Sequence, residues 1–242
     1  DPVFSHENHT RRFDKFPLRV ERLSGQSDVP VIVASEALLR VCPVKAGQSL
    51  RITGQLRSFN NRSGQGSKLV ITVFAQSIEP GDGSYFNRIL LSGALCKKPA
   101  LRRTPLGRSI CDVILAVNRH YGRADYLPCI AWGQTAVQIA GMDVGEHLAA
   151  EGRVQSRTYT KLLETGSEER TAFEVSIMQL LDEEGSPLRF FAYSLCSYSN
   201  NLSVQPFTIL SRSVRVFVVI YLIKNIKAKN TTRREKWQEF FY

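Results

Sequence analysis

Several aromatic side chains and arginines in the second half of this chain are spaced to meet a flat, anionic partner. Tyr126, Pro128, Ile130 and Trp132 differ by even numbers, so on an extended segment they share one face. Arg153, Gln155, Arg157 and Tyr159 do the same on a later segment, and Tyr121 falls at the tip of the hairpin between two apolar runs. Arg88, Arg102 and Arg119 add cations nearby. Flat rings offer surfaces on which unpaired bases stack, and guanidinium groups neutralise phosphates. The same residues have structural uses: Trp132 can close a core, Tyr126 a rim, and arginines solvate a sheet face.

Residue types suited to covalent or metal chemistry lack a partner set. The histidines stand at 6, 9, 120 and 147, and only His6 and His9 are near each other. No Walker loop, GxSxG or paired-carboxylate motif occurs, and Asp112 and Asp125 are isolated. Gly64 and Gly66 read as a hairpin turn rather than a phosphate cradle. The sequence therefore predicts no catalytic residues, no metal ligands and no cofactor. The five cysteines, at 42, 96, 111, 129 and 196, are odd in number and form no CxxC pair. They read as small buried hydrophobes in a reducing compartment.

The net charge is +10. Residues 1–80 carry 11 Lys+Arg against 7 Asp+Glu, residues 81–181 carry 12 against 10, and residues 182–242 carry 9 against 5. Anion binding in the middle segment must rest on where its charges stand, not on bulk excess. The longest apolar run, Val216–Ile223, is too short to span a bilayer. No membrane association is expected.

The elements that position these groups occur twice. With residues 2–59 laid over 99–157, Pro2 meets Pro99, Val20 meets Val117 and Gly25 meets Gly122 at an offset of 97. After an insertion placed before Pro30, the offset becomes 98: Pro30 meets Pro128, Ile32 meets Ile130, Gly47 meets Gly145 and Gly54 meets Gly152. Shared Gly and Pro positions imply shared turns, hence shared topology. In the second copy, strands are predicted at Arg88–Cys96, Ile110–Arg119, Tyr126–Trp132, His147–Tyr159 and Thr171–Leu181, with a helix at Thr135–Ala140 and a bulge at Gly152. Five strands with a helix between the third and fourth is the order of an OB-fold. The first strand of the first copy has no counterpart ahead of Asp1, so that barrel is expected to lack it and to have an open edge. The predicted architecture is mostly β: two tandem five-stranded OB-fold barrels, the first lacking its N-terminal strand, plus an irregular C-terminal extension. The divisions are 1–80, a linker at 81–86, 87–181, and 182–242.

The second copy resembles the bacterial single-stranded DNA-binding protein family through "NRILLSGALCKKPALRRTPLG" (87–107), "LAVNRHYG" (115–122), "YLPCIAWGQTA" (126–136) and "EGRVQSRTY" (151–159). The first copy is similar mainly through "LRITGQLRSF". This resemblance implies a non-enzymatic coat for single-stranded DNA in replication, recombination and repair. It also implies a homodimer of two-barrel chains and a bacterial, cytoplasmic, nucleoid-associated location. By position in the family motif, Tyr121, Tyr126, Trp132 and Tyr159 stack bases, and Arg88, Arg102, Arg119, Arg153 and Arg157 meet the backbone. In the first copy those four aromatics align with Ser24, Asp28, Ala34 and Asn61, leaving Arg57, Phe59 and Arg62 as a secondary site and a weaker binder.

Residues 182–242 depart from the family, whose members end in an acidic tail that recruits other genome-maintenance proteins. Here the end is "TTRREKWQEFFY", so recruitment of replication or repair proteins through such a tail is not expected. The other readings are a structural or oligomerising module of a replication complex, a single-stranded RNA binder, and a nuclease on the same scaffold. Loss of aromatics in the first copy favours the first of these. Base stacking does not distinguish DNA from RNA. The nuclease lacks clustered carboxylates.

Overall fold

The computed structural model describes residues 1–62, 67–83, 85–119, 122–163, 166–182 and 216–221. Strands β1 (Val3–Asn8), β2 (Arg11–Pro17), β3 (Val20–Glu21), β4 (Ser27–Asp28) and β5 (Val31–Ser35) lead into helix α1 (Glu36–Val41), then β6 (Leu50–Asn60) and β7 (Leu69–Pro80). The same series follows as β8 (Phe86–Leu95), β9 (Ala100–Arg103), β10 (Ser109–Asn118), β11 (Ala124–Trp132), α2 (Gly133–Ala140), β12 (His147–Leu163) and β13 (Gly166–Leu180). A last strand, β14 (Val216–Tyr221), lies in the segment expected to be irregular. The strand β9 was not foreseen: its arginines give no alternation to read.

Period-2 patterning forms the barrels. On β6, Leu50, Ile52 and Leu56 point inward; on β10, Cys111, Val113, Leu115 and Val117 do so, and all seven are buried in the core. Each long fourth strand bends at a glycine where its register with the fifth strand shifts, between Thr53 and Gly54 and between Glu151 and Gly152. No side chain fits at either. A Cβ on Gly54 would lie 2.2 Å from the carbonyl oxygen of Phe74, and one on Gly152 would lie 2.4 Å from that of Ser176.

The 12-stranded sheet runs β1-β2-β5-β7-β6-β14-β8-β12-β13-β11-β10-β9. Read from its two ends inward, this order matches copy against copy: β1 with β9, β2 with β10, β5 with β11, β7 with β13, β6 with β12. That leaves β14 as the match of β8. Val218 stands opposite Gly54 on β6 just as Ile89 stands opposite Gly152 on β12, and Val218 and Ile89 also face each other. So the first barrel does not keep the open edge expected of it. The C-terminal strand takes the first-strand place, antiparallel to β6.

The register also corrects the repeat alignment. Ile110 pairs with Trp132 on β10 and β11, and its counterpart Phe13 pairs with Ser35 on β2 and β5. The offset therefore stays at 97 through the third strand, and the extra residue falls between α1 and β6. Trp132 matches Ser35, not Ala34, and Asp125 matches Asp28. The core shows why: inward Ile32 and Ala34 correspond to inward Cys129 and Ala131. Ser35 caps α1 by accepting from the Leu38 N–H at 3.3 Å, whereas Trp132 stands at the start of α2 with no side-chain cap. A ring has replaced a capping hydroxyl, which forgoes about 1 kcal/mol of helix stability.

The barrels grip each other through a duplicated polar clamp. Arg22 donates from Nε to Asp28 at 2.7 Å and from Nη2 to the Ser156 carbonyl at 2.8 Å. The Ser156 N–H and Oγ donate to Asp28 at 2.5 and 2.7 Å. In the mirror arrangement, Arg119 donates to Asp125 at 2.6 Å and to the Ser58 carbonyl at 2.9 Å, and the Ser58 N–H donates to Asp125 at 2.5 Å. Both aspartates are buried. Burial by itself raises the Asp28 pKa, but the hydrogen bonds from Arg22 and Ser156 outweigh it and hold the carboxyl below its ordinary value. A buried carboxylate with this many donors is paired and satisfied.

Candidate nucleic-acid interface

The outer face of the second barrel carries a groove of about 770 Å³. Ile110 and Ile130 line its floor together with Gln155 and Glu174, and Trp132 stands over them with 42% of its surface exposed. Arg102 on β9 and Arg157 on β12 stand on opposite sides. The far wall comes from the first barrel: Arg22, Gln26 and Ser27, brought there by the clamp. Tyr126, six residues before Trp132 on the same face of β11, is 53% exposed. Broad rings with cations at the margins fit unpaired bases and a phosphate backbone.

The arginines are positioned by carboxylates. Arg102 donates from Nε and Nη2 to the two oxygens of Asp112 at 2.5 and 3.1 Å, and this pairing raises the guanidinium pKa. Both partners are about half exposed, so the pair is weak and can yield to a phosphate. Arg157 lies 3.6 Å from Glu174 and 6.0 Å from the Tyr159 ring centre. Glu174 is itself buried and accepts from Gln155 at 2.8 Å. It fixes the floor between β12 and β13.

The chain matches the single-strand binding protein family over residues 86–181. It is 32% identical over 111 residues to the single-stranded DNA-binding protein of Halalkalibacterium halodurans, covering 41% of this chain and 63% of that protein. Against single-stranded DNA-binding protein B of Bacillus subtilis it is 38% identical over 81 residues, covering 31% of this chain and 72% of that one. The chain belongs to the single-strand binding protein family.

Most of the other relatives are matched over about half of their length; this chain spans half of single-stranded DNA-binding protein 3 from Listeria innocua. The fold of the family extends to the first copy. The single-stranded DNA-binding protein from Thermus aquaticus superposes with a TM-score of 0.60 over 78% of this chain and 90% of that one, at 20% identity. Two OB-fold barrels in one chain account for that coverage.

Of the residues expected from the family motif, Trp132, Tyr126, Arg102, Arg157 and Tyr159 come together on this outer face, and Arg153 shares their side of β12. Tyr121 lies outside the described residues. Arg119, expected as a phosphate partner, is instead committed to Asp125 and Ser58 in the clamp, because its hairpin folds against the first barrel. Arg88 is paired with Glu151 at 2.8 Å on the strand that faces β14, away from the groove lining. In the first barrel, Arg57 reaches Asp125 at 3.2 Å, while Phe59 and Arg62 are exposed.

Sequence reasoning missed the wall from the first barrel, since no local pattern tells that Gln26 and Ser27 face a second barrel. The one available signal was the spacing Arg-x5-Asp, present as Arg22/Asp28 and again as Arg119/Asp125. Cys111 and Cys129 are buried and Cys42 and Cys96 half-buried, while Cys196 lies outside the described residues. Burial raises the thiol pKa of Cys96, Cys111 and Cys129, which suits inert packing residues. Among the described residues no group of three or more His, Cys, Asp or Glu is placed to hold a metal. No described helix is long and apolar enough to cross a membrane.

Proposed function

We propose that this protein binds single-stranded DNA with little regard to sequence and protects it during replication, recombination and repair, without catalysing a reaction. One observation carries the reading: Trp132 and Tyr126 stand exposed on one strand face, beside a groove that Arg102 and Arg157 flank. Exposing rings of this size costs burial, and a base offers the matching surface. Tyr159 extends the platform, Tyr121 is a further stacking residue by its place in the family motif, and Arg153 follows the backbone. The second barrel supplies most of the affinity. Phe59, Arg57 and Arg62 add a secondary contact.

The functional assembly is a homodimer. The clamp makes one chain a quasi-dimer of barrels, so two chains present the four barrels usual for the family. Its place of action is the bacterial cytoplasm, on exposed strands at the nucleoid.

Competition between oligo(dT) and duplex DNA of equal length tests the reading. The single strand is expected to win by orders of magnitude, with affinity falling steeply as salt rises. Equal affinity for the two would contradict it. Light scattering at micromolar chain concentration is expected to show the dimer mass.

A further inference from the structure

The outer face of the first barrel has no ring at Trp132's place, where Ser35 stands. The strand registers nevertheless bring rings to that face elsewhere. Arg102 pairs with Ile110 on β9 and β10, and the matching pair on β1 and β2 is His6 with Phe13. A register shift between Phe4 and His6 brings His6, not the residue counted from the repeat, to Arg102's place. Across the barrel, Gln155 pairs with Glu174 as Arg57 pairs with Thr72, so Phe59 holds the place of Arg157. The two barrels have exchanged ring and cation at the margins of the same face.

The geometry at His6 is that of a platform. Its imidazole lies on the Phe13 ring, with centroids 4.9 Å apart and planes 13° from parallel. Phe13 in turn meets Phe74 at 5.4 Å. Phe13 is 9% exposed, so His6 covers it, yet His6 itself is exposed. One face of the imidazole rests on apolar support. Arg11 and Lys15 share this side of β2 with Phe13, placing positive charge on both sides of the ring.

We infer that His6, backed by Phe13 and Phe74, is a base-stacking site for single-stranded DNA on the first barrel, working with Phe59 on β6, four strands along the sheet. It rests on the proposed function and adds to it a site that matching residue to residue between the copies does not reveal. The occupant follows from the charge and shape: a flat ring flanked by cations suits a base with its phosphates. In a protein partner's interface the same ring would instead meet a side chain, and DNA would leave it unchanged.

The test uses the full chain carrying Trp132→Ala and Tyr159→Ala, which weakens the second barrel so that the first barrel contributes a larger share of the residual oligo(dT) binding. Adding His6→Ala is expected to weaken that residual binding by roughly fivefold or more, and His6→Phe to keep it. A parallel arm irradiates oligonucleotides bearing 5-iodouracil on the otherwise unaltered chain and maps the crosslinked peptides. Crosslinks within residues 3–17 are expected. Residual binding unchanged by His6→Ala in a folded chain, no residual binding at all in the parent double variant, or no crosslink there would each overturn the inference. If the unaltered chain fails to bind single strands, the proposed function falls with it. If it binds and His6 is silent, only this site falls.

Discussion

Asp28 and Asp125 hold matching places in the two barrels, and each carboxylate accepts the backbone N–H of a serine in the other barrel at 2.5 Å. The relation is reciprocal, as in a two-fold dimer, although one chain supplies both halves. It sets the barrels' mutual orientation, and through it the wall of the groove.

Removing the charge at one of these positions leaves a half-buried arginine, and the donors around a buried carboxylate, without their charged partner. Asp28→Asn is expected to destabilise the chain by about 3–5 kcal/mol. Urea unfolding monitored by circular dichroism measures it. A loss well under 1 kcal/mol would show that the clamp is incidental to stability.

The clamp also makes stability depend on acid. The Asp28 pKa is depressed in the folded state relative to an ordinary value of 3.8. Its contribution is therefore fully present above the ordinary value and is lost as pH falls through the lower folded-state value. Urea midpoints taken from about pH 6 to about pH 2.5 are expected to fall at the acid end, and to fall less steeply there in Asp28→Asn.

Gly152 is fixed by space. A Cβ there meets a backbone carbonyl of β13 rather than a movable side chain. Gly152→Ala is expected to cost about 2–4 kcal/mol, through strain and a disturbed ladder. Gly145 has φ +88 and open space around its Cβ position, so Gly145→Ala should cost only the left-handed backbone term of about 1–2 kcal/mol. Thermal denaturation of both variants checks the order.

On the proposed function, Arg102 must exchange its Asp112 pairing for a DNA phosphate. Asp112→Asn is expected to tighten oligo(dT) binding by about 0.5–1 kcal/mol, the worth of an exposed pair. Unchanged or weaker affinity would mean that Asp112 aligns Arg102 rather than restraining it.

The barrels were legible because alternation and turn glycines are local signals. Predicted strands at Ile110–Arg119 and His147–Tyr159 correspond to Ser109–Asn118 and His147–Leu163, and the helix at Thr135–Ala140 to Gly133–Ala140. Trp132 and Tyr126 were legible for the same reason, since strand parity puts them on one face. What failed was anything set by contact between distant segments. Pro30 and Pro128 look equivalent but stand one residue out of register, because the inward positions Ala34 and Ala131 decide the match. Arg119 looked like a surface cation until its hairpin met Ser58. His6 was hidden by a single bulged residue, which shifts its side chain to the face of Phe13.

On the proposed function Trp132 stacks on unpaired bases, and its own fluorescence reports that contact. The chain has two tryptophans, so Trp237→Phe leaves Trp132 as the sole probe. Titration with oligo(dT) is expected to quench the emission to a saturating endpoint, reversed by high salt, while duplex DNA of equal length leaves it unchanged. Binding of oligo(dT) without any change in Trp132 emission, or equal quenching by duplex, would contradict the account.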